Sequence, residues 1–319
     1  MVNKKVLIIG DVMLDHYLSG NCSRISPEAP VPVVVFVNEN YKLGGAANLA
    51  NNLASLNQDV SLLSIIGSDT SAQIIHDLLD KHTINNLLIE SKKRQTTIKT
   101  RIMVDSHQIV RVDRENTKKL EEDEELLLLN KLREQIEIHE IILLSDYNKG
   151  LLTTSITNDI IKLCNNNNKK VFIDPKSDDF TKYMNSTFIK PNLKEAEIAS
   201  GVKIIDNNTL EIACLKITKI TKCKTLLITM SEKGVCLFEN NIMTILPAYA
   251  KEVVDVTGAG DTFLAAFSKS ILENKTVISA CEYANLASSI AVSKLGSSVV
   301  TEKEIDLIKT NLNVNLGIY

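Results

Sequence analysis

From Asp255 to Asp261 the chain reads Asp-Val-Thr-Gly-Ala-Gly-Asp, followed by Thr-Phe and an apolar, alanine-rich run. If Gly258, Ala259 and Gly260 open a helix, their backbone N–H groups converge on an anion and the helix dipole adds to the attraction. The Asp261 carboxylate, beside that cradle, is placed to accept a proton from an attacking hydroxyl. An anion cradle next to a general base suits phosphoryl transfer to an alcohol, where positioning and charge stabilisation supply most of the catalysis. A glycine turn with an aspartate in the first helical turn is also an ordinary helix start, so this motif alone leaves two readings open. A second glycine site lies far upstream, at Leu43-Gly44-Gly45-Ala-Ala-Asn48. It too leads into a helical pattern, with Leu49, Leu53 and Leu56 on one face. Asn48, in its first turns, suits a hydrogen bond to a ligand hydroxyl, and two such sites suggest two ligands.

The elements that would position these groups follow from the hydrophobic pattern. Short apolar runs at Val6–Ile9, Val60–Ile66, Ile141–Leu144, Val171–Ile173, Phe188–Ile189 and Leu226–Ile228 read as buried strands. Helical patterns separate them, at 45–57, 71–81, 121–138, 153–165, 194–200, 208–222, 257–273 and 276–294. This alternation predicts an α/β fold with a mainly parallel sheet covered by helices on both faces. Ligands of such sheets bind at the carboxyl ends of the strands. Asp11, Asp146, Asp174 and Asn192 each follow a predicted strand and are expected on that rim. Segments 12–38 and 96–113 break the rhythm. The second resembles a hairpin turning near Asp105-Ser106-His107, and together they are expected to form a small β-sheet lid on a single domain spanning 1–319.

Composition narrows the class further. The 319 residues carry 36 Lys and Arg against 39 Asp and Glu, a net charge of −3, so a nucleic-acid partner is not expected. No apolar run approaches the ~18 residues of a membrane span. The start of the chain reads as a buried strand, not a signal peptide, which predicts a cytoplasmic protein. Its six cysteines show no metal-ligand spacing and are expected as reduced, mostly buried thiols.

Taken together, Gly44-Gly45-Ala-Ala-Asn48, Asn192-Leu193-Lys194-Glu195, Thr229-Met-Ser231-Glu-Lys-Gly234 and Asp255 to Asp261 resemble, in order, the elements of the ribokinase-like (PfkB) carbohydrate kinases. The resemblance covers nearly the whole chain. Gly10-Asp-Val-Met-Leu-Asp15, Ser23 to Pro32, Ser145-Asp-Tyr-Asn-Lys-Gly150 and Ile173-Asp-Pro-Lys176 are closer still to the family's bacterial D-glycero-β-D-manno-heptose 7-phosphate kinases. That resemblance implies ATP-dependent phosphorylation of the heptose C1 hydroxyl, in ADP-heptose and lipopolysaccharide core synthesis. Because the chain ends at Tyr319, it also implies a stand-alone kinase or one half of a split pair. Asp261 would be the base, Gly258–Gly260 the anion hole, and Glu195 with Asn192 the holder of Mg²⁺ through water.

For the sugar phosphate, Asp15, Gly44, Gly45 and Asn48 are the expected contacts, with Lys176, Lys149, Arg101 and Arg111 as candidate cations for the 7-phosphate. A charge on an edge strand that resists sheet pairing is the other reading of the two arginines. Asn192, Leu193, Lys194, Glu195, Thr229, Ser231, Gly234 and Asn285 are expected on the nucleotide side, although Asn192 and Glu195 also suit a plain helix start. A monovalent cation (K⁺) near Asp255, Thr257 and the Gly296 loop, and a homodimer formed through the lid, are implied for many relatives. Asn148 and Ser177 stand where the closer pattern has glycine, and Met230 where it has a basic residue. The alternatives are another PfkB-type sugar or nucleoside kinase and a non-catalytic sugar-binding regulator. Gly10-Asp-Val-Met-Leu-Asp15 lacks the glycine spacing of a dinucleotide-binding turn, and no P-loop motif is present.

Overall fold

The computed structural model describes residues 4–316 apart from Ser106, 250–252, Leu295 and Ser297. The chain opens with β1 (Lys5–Gly10), whose Val6 to Ile9 are fully buried. Two long strands follow, β2 (Val12–Ile25) and β3 (Pro32–Gly45), leading into α1 (Ala46–Ser55). Next come β4 (Val60–Leu63), β5 (Ile65–Gly67), α2 (Thr70–Lys81), β6 (Asn85–Asn86) and β7 (Ile89–Ser91). The pair β8 (Thr97–Val104) and β9 (His107–Arg114) precedes α3 (Glu122–Gln135) and β10 (His139–Ser145). The second half runs through α4 (Thr154–Asn166), β11 (Lys170–Asp174), β12 (Phe188–Ile189), α5 (Leu193–Ser200) and α6 (Asn207–Thr221). It closes with β13 (Thr225–Thr229), β14 (Val235–Glu239), β15 (Ile242–Leu246), α7 (Ala259–Leu272), α8 (Val277–Ala291) and α9 (Glu302–Leu316).

The large sheet has the order β15-β14-β13-β12-β11-β10-β1-β4-β6. Its strands pair in parallel from β6 to β13, and β14 and β15 add an antiparallel edge. Side-chain alternation divides the core between its two faces. Val6 and Ile8 pack with residues of α1, α7 and α8, whereas Leu7 and Ile9 pack with residues of α3, α4 and α6. Burial on both faces explains why these strands read as continuous apolar runs.

The run Val60–Ile66 is not one strand. It breaks at Ser64, whose hydroxyl donates to the Gly10 carbonyl at 2.6 Å, and β5 leaves to pair with β7 in a separate two-stranded sheet. The helical pattern at 121–138 likewise ends earlier, with a 3₁₀ turn over Ile136–Ile138. The edge hairpin β14–β15 and the last helix, α9, carried no expectation from the sequence. A second, four-stranded sheet has the order β3-β2-β8-β9. Its β2–β8 pairing is parallel and the outer pairings are antiparallel. Ser106, the middle of the expected hairpin turn, lies outside the described residues.

Candidate active site

Parallel register brings the ends of adjacent strands to one edge. Gly10 aligns with Ser145, and Ser145 with Asp174, so the residues that follow β1 and β10 meet the end of β11. There the Asp11 carboxylate accepts the N–H groups of Tyr147 (2.9 Å) and Lys149 (3.1 Å), which anchors the loop after β10. Burial and the neighbouring Asp146 push Asp11 up to about 6, against the pull of those amides. Asp146 is balanced by the buried Lys182 ammonium at 2.5 Å and accepts the Tyr183 hydroxyl at 2.7 Å. In the same loop Asn148 adopts φ +57°, which glycine adopts without strain and asparagine tolerates. That accounts for its standing in for the expected glycine.

Helices α1 and α7 begin at this rim. Gly45 enters α1 with φ +59° and ψ −134°, and a Cβ there would run into the Asp11 carbonyl oxygen. Gly258 caps α7 with φ +81°. The Ala259 N–H donates to Val256 at 3.3 Å, which leaves Gly260 and Asp261 as the first-turn amides that helix geometry leaves without an intrahelical acceptor. Asn48 donates to Asp261 Oδ2 at 2.5 Å, and Thr262 donates to Asn52 at 2.8 Å, so the two helix starts are clamped together. Asp261 is 6% exposed. Burial and the Asp174 charge push it up to about 6, while Asn48, Lys190 and Lys176 pull it down. The Tyr147 hydroxyl donates to its other oxygen at 3.4 Å, and burial, then Asp261, hold that phenol neutral.

A buried cation completes the cluster. Lys190 Nζ lies 2.8 Å from Asp174 Oδ1, and a Cβ built on Gly260 would sit 3.4 Å from that ammonium. Lys190 therefore flanks the start of α7. Burial works against the Asp174 charge, but Lys190 and Lys176 outweigh it and hold Asp174 below the usual carboxylate range. Sequence reasoning passed over Lys190, although it follows β12 on the same rim used to select Asp174 and Asn192.

Of the residues expected on the nucleotide side, Asn192 and Glu195 form a capping box on α5. Asn192 Oδ1 accepts the Glu195 N–H at 2.9 Å, and Glu195 Oε2 accepts the Asn192 N–H at 2.8 Å. Glu195 Oε1 accepts from Lys176 at 2.8 Å. Lys176 thus sits with Glu195 and Asp174, near Asp261. Among the described residues no three His, Cys, Asp or Glu groups gather as a metal cage. Both Glu195 oxygens are thereby engaged, Oε2 by the Asn192 N–H and Oε1 by the Lys176 ammonium.

Leu193 packs on the core and Lys194 is exposed, while Thr229 bridges to Asn192 at the end of β13. Ser231 and Gly234 shape the following turn with φ +53° and +88°. Met230, which replaces the expected basic residue, is buried in the core, so no charge faces the turn there. Asn285 donates to the Leu246 and Pro247 carbonyls at 3.4 and 3.1 Å, joining α8 to the end of β15. Asp255 accepts the N–H groups of Thr257 (2.8 Å) and Gly296 (2.9 Å), which uses its carboxylate to close the loop where a monovalent cation was expected. Leu295 and Ser297, on either side of Gly296, lie outside the described residues.

The four-stranded sheet carries several of the residues expected on the sugar side. Arg101 reaches Asp15 at 2.6 Å, and a Cβ on Gly44 would lie 2.8 Å from the Asp15 carboxylate. Arg111 pairs with Asp113 on its own strand at 2.9 Å, and Lys149 pairs with Glu115 at 2.8 Å.

The description "pfkB family carbohydrate kinase" fits residues 3–304. The chain belongs to the pfkB family of carbohydrate kinases. Similar proteins of this kind include the bifunctional protein HldE of Aliarcobacter butzleri (strain RM4018), 41% identical over 99% of this chain and 68% of its own length. The HldE protein of a Nitratiruptor species is 42% identical over 95% of this chain and 64% of its own. The chain thus spans about two thirds of the length of these curated relatives. Among solved structures, phosphofructokinase-2 from Escherichia coli in complex with potassium superposes with a TM-score of 0.81 at 18% identity, over 98% of this chain and 100% of that one. Arabidopsis thaliana ribokinase complexed with ribose and ATP gives 0.76 at 19% identity, over 97% and 99%. Both share the ribokinase-like fold. As a pfkB-family kinase, the chain is an ATP-dependent sugar kinase.

Proposed function

We propose that this kinase transfers the γ-phosphoryl group of ATP to the C1 hydroxyl of D-glycero-β-D-manno-heptose 7-phosphate. The products would be ADP and the 1,7-bisphosphate, which leads to ADP-heptose and the lipopolysaccharide core. The observation that carries the reading is Asp261, a buried carboxylate raised to about 6 at the start of α7 and clamped to Asn48. A base with that pKa is ionised at neutral pH yet still attracts a proton strongly. Asp261 takes the C1 hydroxyl proton as the oxygen attacks in line. The amides left free at Gly260 and Asp261 in the Gly258–Gly260 turn, and the ammonium groups of Lys190 and Lys176, meet the charge on the transferred group. Glu195 with Asn192 would hold Mg²⁺ through water, and the ion would supply charge neutralisation for the nucleotide phosphates. Thr229, Ser231, Gly234 and Asn285 border the nucleotide, and the loop at Asp255 and Thr257 would hold a K⁺ ion that adds positive charge at the same end.

On the acceptor side Asp15, Asn48 and the backbone at Gly44 and Gly45 grip sugar hydroxyls, and segments 12–38 and 96–113 act as a lid. The heptose assignment is supported by the Ser23 to Pro32 run and by relatives named HldE at about 40% identity. We place the enzyme in the cytoplasm as a homodimer joined through the lid sheet. Apolar side chains exposed there, among them Phe36 (57%) and Val112 (56%), support that pairing.

ADP release with Mg²⁺ and ATP tests the reading across heptose 7-phosphate, sedoheptulose 7-phosphate, fructose 6-phosphate, ribose and fructose. Turnover confined to the heptose phosphate is expected. Efficient turnover of an unphosphorylated sugar alone would overturn the substrate while leaving the sugar-kinase assignment intact.

A further inference from the structure

Strand register places charges in rows across one face of the four-stranded sheet. Asp15 on β2 lies opposite Lys42 on β3 and Lys99 on β8, and Lys99 lies opposite Asp113 on β9. Two residues further along, Tyr17 is opposite Arg101, and Arg101 opposite Arg111. Because alternate residues share a face, these rows form one surface. Contacts agree, since the Lys42 ammonium lies 5.4 Å and the Arg101 guanidinium 5.1 Å from the Tyr17 ring centre.

This face looks onto the active site. Asp15 abuts Gly44 and acts on the Tyr147 hydroxyl, and the Arg101 charge acts on Asp255. A Cβ on Gly296 would lie 3.4 Å from the Lys42 ammonium.

The rows hold four cations and two carboxylates. Arg101 is taken by Asp15 and Arg111 by Asp113. Lys149 and Lys176, the other cations first considered for the sugar phosphate, are likewise taken by Glu115 and Glu195. Among the described residues Lys42 and Lys99 have no carboxylate partner. They flank Asp15 on its two sides. A partly buried ammonium without a partner is costly, and burial holds Lys99 below the usual lysine range in spite of Asp15 and Asp113. The surplus of two positive charges matches a phosphate monoester, which carries close to two negative charges at neutral pH.

We propose that Lys99 and Lys42 bind the phosphate of the acceptor sugar, and thereby set the preference for a phosphorylated substrate. Asp15 between them holds a sugar hydroxyl. The proposal rests on the sugar-phosphate reading above and gives the phosphate-gripping role to Lys99 and Lys42 in place of the four paired cations first considered.

The test measures kcat and KM with heptose 7-phosphate and with the unphosphorylated heptose, for the intact enzyme and for Lys99→Met, Lys42→Met and Lys99→Arg. Methionine keeps most of the aliphatic volume, and arginine keeps the charge. Loss of one charged hydrogen bond predicts that Lys99→Met raises KM for the phosphorylated sugar about 10- to 100-fold. The kcat and the efficiency on the unphosphorylated sugar should hold, and Lys99→Arg should restore much of the binding. Inorganic phosphate should inhibit the intact enzyme competitively and Lys99→Met less.

An equal loss on both sugars, or unchanged KM in both methionine variants, would overturn the proposal while leaving the heptose reading standing. Lys99-dependent turnover of another sugar phosphate would support the proposal and overturn the heptose reading. Turnover of unphosphorylated sugars alone would overturn both.

Discussion

Asp261, the proposed base, sits in surroundings that raise its carboxyl toward neutral pH. Burial and the Asp174 charge raise it to about 6, and Asn48, Lys190 and Lys176 oppose them. In the proposed role it must be ionised, so kcat should fall as pH drops through about 6. Asn48→Leu removes a hydrogen bond that lowers this pKa, so the acid limb should move to higher pH. A kcat profile from pH 5 to about 8 checks this, and an unmoved limb would detach the titration from Asp261. Asp261→Asn keeps the shape and removes the base, with an expected loss in kcat of about 10²- to 10⁴-fold. Lys182 is a second residue with a calculable role. Its ammonium balances the buried Asp146 and donates to the Leu152 carbonyl at 3.0 Å. Lys182→Met would strand that carboxylate and should cost about 3–5 kcal/mol of stability in a denaturant titration.

Among the elements, the starts of α1 and α7 carry the site, and each depends on a glycine in a conformation that a side chain resists. Gly45, at φ +59° and ψ −134°, also has no room for a Cβ against the Asp11 carbonyl. Gly45→Ala should therefore lose at least the ~1–3 kcal/mol of backbone strain, with activity falling further as Asn48 shifts away from Asp261. Differential scanning calorimetry and ADP release on one preparation separate the two effects. The start of α5 shows how one motif serves two ends. Asn192 and Glu195 cap that helix, and their cross-bonded side chains and amides fix where the Glu195 carboxylate faces Lys176.

Across the whole molecule, the four-stranded sheet has one face of charges over the site and apolar side chains open to solvent elsewhere. Val35, Phe36 and Val37 on β3 and Val112 on β9 are each more than half exposed. Apolar side chains left open to solvent on both outer strands of the sheet are available to an interface with another molecule. Sedimentation of the intact protein should give a dimer, and Phe36→Glu with Val112→Glu should give a monomer. A monomeric parent, or a dimer that survives both substitutions, would remove the lid from the interface.

Much of this was legible in local patterns, because those patterns have local causes. Continuous apolar runs at β1 and β10 need burial on both faces, and a parallel sheet with its ligand rim follows from that. Asp261, Asn48, Gly45 and Gly258 announce themselves because helix starts and positive φ select a few residue types. The partners of charges are decided at longer range. Arg101 and Arg111 look like free phosphate ligands in sequence, yet strand proximity hands Arg101 to Asp15, while Arg111 pairs with Asp113 two residues along its own strand. Lys190 reaches Asp174 and the start of α7 only because β11 and β12 lie side by side. Which cations remain for a substrate depends on pairing between residues up to 86 positions apart, and sequence spacing carries no record of it.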